Sequence, residues 1–313
     1  MNITELEKIT EQIKRYQLED EIGRIETWLR KLNKKQIKNF ISLDIYPLNK
    51  ISEFKFLLVN QEVLNSDYYL EDMMFVNNAK SDVIAGYLIN VAVNGYSLGS
   101  KHHKEDMKLI ANAKSDYIAK CLNRVAMDKN SLESKHHKED MELISNARSN
   151  DIAICLRNVA MDKNSLESKY HKEDMNLIAN ITIKTILIAR YSQELACNKN
   201  SLESKYHKED MKLISSAKSG TIAGYLIDVA CNNNLLKSEH HIEDMKRLLD
   251  AKDDCDAKEI YNNIIKQYEV QNKKEESNYV TFQEKIDAIH QNAVEYTDGD
   301  TTKELDDSVF TLK

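Results

Sequence analysis

Five times the chain sets histidine, glutamate and aspartate within a few positions of one another. The blocks read SLGSKHHKEDM, ending at Met107; SLESKHHKEDM, ending at Met141; SLESKYHKEDM, ending at Met175 and again at Met211; and LLKSEHHIEDM, ending at Met245. Imidazole beside carboxylate can hold a metal or move a proton. His102 with Asp106, His136 with Asp140 and His240 with Asp244 are spaced i, i+4, so each pair shares one helix face and could ligate zinc or another transition metal. Two ligands are too few. A second pair would have to come from a neighbouring helix about 8–10 Å away, whereas zinc–ligand bonds are about 2 Å long. Tyr170 and Tyr206 also replace the first histidine, and Tyr68-Tyr69 replaces both in an earlier copy. A ligand is not exchanged for phenol at an unchanged site, so neither a metal nor any other cofactor is expected.

The second histidine persists as His103, His137, His171, His207 and His241, each three residues before Asp106, Asp140, Asp174, Asp210 or Asp244. Its expected role is structural. A repeated His–Asp or His–backbone hydrogen bond would fix the start of a helix against the preceding repeat, where an unpaired buried group costs about 1–3 kcal/mol. Catalysis has no better candidate. There is no Gly-rich phosphate loop, nucleophile elbow or HExxH, and an enzyme builds one constellation, not a series. No catalytic residue is expected.

The elements that carry these blocks recur with them. Met73, Met107, Met141, Met175, Met211 and Met245 are spaced 34, 34, 34, 36 and 34 residues apart, and Leu64, Leu98, Leu132, Leu166, Leu202 and Leu236 keep the same beat. A fixed period of this size means stacked repeats. One proline and seven glycines favour a nearly all-helical chain. In the repeat over 100–133, His103, Met107, Ile110 and Lys114 share one helical face; Ser115 is a candidate N-cap; and Ile118, Ala119, Leu122, Val125 and Ala126 form the apolar stripe of a second helix. The segment DKNSLES reads as a polar turn with one leucine tucked between helices.

A helix pair of this size cannot bury both its faces alone, so neighbours must stack. The expected fold is all-α: a right-handed α-solenoid of about six helix-pair repeats with helical caps at both ends. In period and helix count residues 66–271 resemble the tetratricopeptide and related helical-repeat classes. The Trp, Leu-Gly, Tyr and closing Pro of the tetratricopeptide pattern are absent, and the resemblance implies a fold alone.

Residues 1–50 read as an N-terminal cap, with Leu6, Ile9, Ile13 and Tyr16, then Ile22, Ile25, Trp28, Leu29 and Leu32, at helical spacing. Residues 51–65 read as a degenerate half repeat, 66–271 as six repeats, 272–297 as a C-terminal helix and 298–313 as a flexible acidic tail. The fourth repeat is two residues longer, with NITIKTILIARYSQELACNKN, and is expected to alter the local curvature. The five cysteines read as small reduced hydrophobes. Equivalent positions of packed helices lie about 8–10 Å apart, beyond the roughly 7 Å that a disulfide spans.

The formal charge is −7. Residues 1–65 hold 11 basic and 10 acidic groups, 66–271 hold 28 and 31, and 272–313 hold 5 and 10. No segment is strongly basic, which weighs against tight nucleic-acid binding. No secretory signal or apolar run of spanning length is visible, so a cytoplasmic protein away from membranes is expected.

Differences between copies concentrate on the second helix. One set is Val83, Tyr117, Asp151, Leu187 and Thr221; three residues on come Gly86, Lys120, Ile154, Arg190 and Gly224; next to these, Tyr87, Cys121, Cys155, Tyr191 and Tyr225; and at i+7, Asn90, Arg124, Asn158, Glu194 and Asp228. The first, second and fourth sets share a stripe. Tyrosine and arginine are enriched at protein interfaces. The expected partner-binding residues are Tyr87, Tyr117, Lys120, Arg124, Asp151, Arg190, Tyr191, Glu194, Tyr225 and Asp228. The expected function is a non-enzymatic protein–protein interaction module: a scaffold, adaptor or inhibitor. The alternative is single-stranded nucleic-acid binding by the array, and a metal-dependent enzyme comes third.

Overall fold

The computed structural model describes residues 3–16, 18, 32–45, 55, 57–58, 60–182 and 186–270. Among these residues every regular element is a helix. The chain divides into two compact units, Met1–Ala257 and Lys258–Lys313. The described part of the second, 258–270, is helical.

The repeat holds three helices, not the expected two. After α1 (Ile3–Arg15), α2 (Lys34–Ser42) and α3 (Gln61–Asn65), the first repeat is α4 (Tyr69–Asn77), α5 (Asp82–Ala92) and α6 (Gly95–Leu98). The second is α7 (His103–Ala111), α8 (Asp116–Met127) and α9 (Lys129–Glu133). Then follow α10 (His137–Ser145), α11 (Asn150–Met161) and α12 (Lys163–Glu167); α13 (His171–Asn180), α14 (Ile186–Cys197) and α15 (Lys199–Glu203); α16 (His207–Ser215), α17 (Gly220–Cys231) and α18 (Asn233–Leu236); and α19 (His241–Leu249).

Each boundary has a local cause. Ser81, Ser115, Ser149 and Ser219 cap the second helices, each accepting from the amide three residues on. The short third helices are capped by Asn94, Asp128, Asp162, Asn198 and Asn232. Such a cap turns DKNSLES into a helical turn. The leucine expected to anchor it is only half-buried at Leu98, Leu132, Leu166, Leu202 and Leu236, while Ser97, Ser131, Ser165 and Ser201 beside it are fully buried. The anchor is the serine, because a partner waits for its hydroxyl.

Like helices pack on like. First helices α4, α7, α10, α13, α16 and α19 touch in sequence, as do second helices α5, α8, α11, α14 and α17. The predicted stripe Ile118, Ala119, Leu122, Val125 and Ala126 is buried with Met107 and Ile110, and the same positions are buried in the other repeats. Polar struts run between neighbours. Ser81, Ser115 and Ser219 donate their hydroxyls to Asp116, Asn150 and Asp254. Lys80, Lys114 and Lys218 reach carbonyls just past the end of the next first helix, at Ala113, Asn146 and Ala251. A cation there suits the negative end of the helix dipole.

The fourth repeat takes part of its insertion as an extra residue on α13, which runs ten residues against nine in α10 and α16. In the N-terminal region Ile9 and Tyr16 are fully buried and Gln12 Nε2 donates to the carbonyls of Ile41 and Leu43, tying α1 to the end of α2. Leu6 stays 48% exposed. Leu57, Leu58 and Leu64 are fully buried, and α3 occupies the place of a third helix. Ile22, Ile25, Trp28 and Leu29, the C-terminal helix over 272–297 and the tail lie outside the described residues.

Candidate functional site

The repeated histidine does bond aspartate, but not the one three residues ahead of it. His103 Nε2 lies 3.1 Å from both carboxylate oxygens of Asp72 in the preceding repeat. His137 meets Asp106 at 2.9 Å, His171 meets Asp140 at 2.9 Å, His207 meets Asp174 at 3.0 Å and His241 meets Asp210 at 3.0 Å. Asp244, last in the series, is 5% exposed and receives Arg247 Nη1 at 3.0 Å. Asp72 went unnoticed in the sequence because Tyr69 stands where its own helix would carry the histidine.

The other ring nitrogen is also engaged. Ser97, Ser131, Ser165 and Ser201 place Oγ at 3.0, 3.1, 3.0 and 2.8 Å from Nδ1 of His103, His137, His171 and His207. Serine and aspartate both belong to the preceding repeat, so each imidazole is a plug inserted across the junction. A neutral ring protonated at Nε2 satisfies every contact: Nε2–H donates to the carboxylate and Nδ1 accepts from the serine hydroxyl. At the fifth junction Leu235 replaces serine, and His241 Nδ1 has no partner among the described residues. An imidazolium there would bury an unpaired N–H, so the neutral tautomer suits all five junctions.

Serine, histidine and aspartate in contact invite comparison with a hydrolytic triad, in which serine meets Nε2 and aspartate meets Nδ1. Here the two nitrogens are exchanged. All four serines and all five histidines are at most 1% exposed, and a nucleophile must meet its substrate. The carboxylates of Asp72, Asp174 and Asp210 are pushed up from their ordinary pKa by burial, against the opposing pull of the histidine hydrogen bond.

The first position of each block supplies a ring. Tyr68 packs on His103, His102 on His137, His136 on His171, Tyr170 on His207 and Tyr206 on His241, with centroids 4.7–4.9 Å apart. Histidine and tyrosine interchange there because both are flat and aromatic. His102 and His136 are held below the ordinary imidazole pKa, chiefly by burial. Among the described residues no three His, Cys, Asp or Glu side chains converge on one point. A shallow groove of about 260 Å³ runs beside His102 between α7 and α10, past Leu109, Lys138 and Met141.

The second-helix stripe lies on another face. Val83, Tyr117, Asp151, Leu187 and Thr221 are exposed, as are Asn90, Arg124, Glu194 and Asp228. Lys120 is half-buried with Nζ 5.8 Å from the Tyr117 ring centre, and Arg190 is exposed and pairs with Asp151 at 3.5 Å across two repeats. Tyr87, Tyr191 and Tyr225 are half-buried, and Cys121 and Cys155 at the same position are buried. That third set therefore turns inward. Tyr191 lies over Gly224, where an added methyl would come 3.3 Å from its hydroxyl, and Leu187 lies over Gly220, where one would come 2.6 Å from Cδ1. Partial burial raises the Asp228 carboxyl. No family model, curated protein or solved structure matches this chain.

Cys121, Cys155, Cys197, Cys231 and Cys255 are all free. Burial pushes the thiols of Cys155 to about 11 and of Cys197 and Cys231 to about 12, so they stay protonated at neutral pH and are poor nucleophiles. The serines of the junctions are the residues that reading by single helices missed. Their signal was present: serine precedes histidine by six residues in four copies, and where tyrosine takes the histidine place the serine is Val63.

Proposed function

We propose that the repeats form a right-handed α-solenoid acting as a non-enzymatic protein-binding module: a scaffold, adaptor or inhibitor. The observation that carries this reading is the division of labour between positions. Residues that plug the junctions are nearly invariant from copy to copy, whereas exposed positions of the second helices change from repeat to repeat. Tyr117, Arg124, Arg190 and Tyr191 supply the side chains that most often dominate binding at protein interfaces. The constellation with catalytic residue types is sealed, which supports binding over chemistry. No helix among the described residues is long and apolar enough to cross a membrane.

The test is affinity capture from the native host with the wild-type array and with Tyr117, Arg124, Arg190 and Tyr191 all changed to alanine. The expected result is one protein retained by the wild type and lost by the variant, with circular dichroism showing that the variant is still folded. Identical capture by both would remove this face from consideration.

A further inference from the structure

A second surface follows from the residue just before each stacked ring. In the four central repeats it is a lysine: Lys101, Lys135, Lys169 and Lys205, all exposed. In the repeats at either side it is acidic, Asp67 and Glu239. Most neighbouring lysines of the first helices are already neutralised. Lys104 pairs with Glu71, Lys172 with Glu139 and Lys208 with Glu173. Among the described residues no carboxylate lies in ion-pair range of Lys101, Lys135, Lys169 or Lys205. Two are positioned by the ring beside them: Lys169 Nζ sits 4.8 Å from the centre of Tyr170 and Lys205 Nζ 4.7 Å from that of Tyr206. The helices they precede, α7, α10, α13 and α16, have no side-chain N-cap. Each of these helices instead carries a glutamate and an aspartate in its first turn, which offset its positive end, so the lysines alone supply the attraction.

We propose that the row Lys101, Lys135, Lys169 and Lys205 binds an extended acidic peptide segment with a carboxylate at about every third residue. The spacing sets the period. Packed first helices stand about 8–10 Å apart, and three residues of extended chain cover about 10 Å. Beyond the row the lysine gives way to Asp67, which pairs with Lys35, and to Glu239, so the footprint is four repeats, or about twelve peptide residues. A nucleic-acid strand fits less well. It carries charge on every nucleotide, whereas the unpaired lysines stand one repeat apart. This surface is independent of the second-helix face proposed above.

The experiment is fluorescence polarisation at low ionic strength with a labelled peptide of about twelve residues bearing glutamate at every third position. Its rivals are a peptide of the same composition with the glutamates contiguous, and an oligouridylate of equal length. The expected result is binding to the wild type at least tenfold tighter than to K101E/K135E/K169E/K205E, with intermediate affinity for the four Lys→Gln changes. Spaced glutamates should bind more tightly than contiguous ones, and Tyr117→Ala/Arg190→Ala should bind as the wild type does. Circular dichroism checks that each variant is folded. Equal affinity of wild type and charge-reversed protein overturns the proposal. So does equal affinity for both peptides, tighter binding of oligouridylate, or loss of binding in the Tyr117/Arg190 variant.

Discussion

The junction at His171 and the junction at His241 begin alike and end differently. Both histidines are buried and both place Nε2 against an aspartate of the preceding repeat, at 2.9 and 3.0 Å. At His171 the ring is held from its other side by Ser165; at His241 that place belongs to Leu235 and Nδ1 is unpartnered among the described residues. The contact with aspartate is therefore the constant of the seam, and the serine is its adjustable part. The opposite end shows the same trade carried further. Tyr69 replaces the histidine, Val63 replaces the serine, and the Tyr69 hydroxyl meets no partner among the described residues. Interior repeats satisfy both ring nitrogens, whereas the outer ones substitute apolar volume.

Removing the plug at the better-held junction should have the largest effect. His171→Ala leaves Asp140 buried without its partner and orphans Ser165, and breaking a buried pair in this way costs about 3–5 kcal/mol. His241→Ala strands one group fewer, so its cost should be visibly smaller. Urea denaturation of the two variants reads the difference. Equal losses would mean that the serine contributes nothing and that the two junctions are energetically one.

The serine can be tested alone. Ser165→Ala should cost about 1–3 kcal/mol, because it leaves His171 Nδ1 as an unsatisfied buried acceptor. The nitrogen-15 spectrum should separate the junctions without any mutation. Four Nδ1 resonances should carry the signature of an accepted hydrogen bond, and His241 should not. After Ser165→Ala, His171 should move to join His241; a spectrum in which it stays put would break the distinction.

This pattern was only half legible in the sequence. The period, the first and second helices and the cap at Ser115 follow from spacing and side-chain chemistry. The short third helix was hidden because five residues such as KNSLE are too few to show a helical period, so the segment reads as a turn. The aspartate partner was hidden because the candidate nearest to His137 along the chain is Asp140, whereas the one it bonds, Asp106, lies 31 residues earlier. Only stacking brings that pair together. In sequence the exchange of His136 for Tyr170 argues only against a metal; that it preserves a flat ring is visible once His207 is placed beneath Tyr170.

The ring position should respond more weakly. Tyr170→Ala removes the aromatic contact on His207 and should cost about 0.5–1.5 kcal/mol beyond the lost area. Tyr170→His copies the second and third repeats and should change the melting temperature little. If histidine is as damaging as alanine, stacking is not what this position supplies.

The smallest effect is a dependence on pH, and it separates the ring position from the plug. Burial holds the His102 and His136 pKa values below the ordinary 6.5. As pH falls through about 6.5 the unfolded chain takes up protons that the folded one refuses, so the stability due to these rings is whole above that value and declines below it. Asp72, Asp174 and Asp210 act with the opposite sign. Their folded pKa values are raised above 3.8, so the folded chain binds protons first and regains some stability as pH falls through the raised values. The two influences are removed by different substitutions. His102→Tyr/His136→Tyr keeps a ring at both positions, as Tyr170 and Tyr206 do, and abolishes the titration. Its melting temperature should therefore fall less than that of the wild type between about pH 7 and about pH 5, while any recovery at lower pH persists. A slope unchanged by the double substitution would show that the half-buried rings do not set the acid sensitivity.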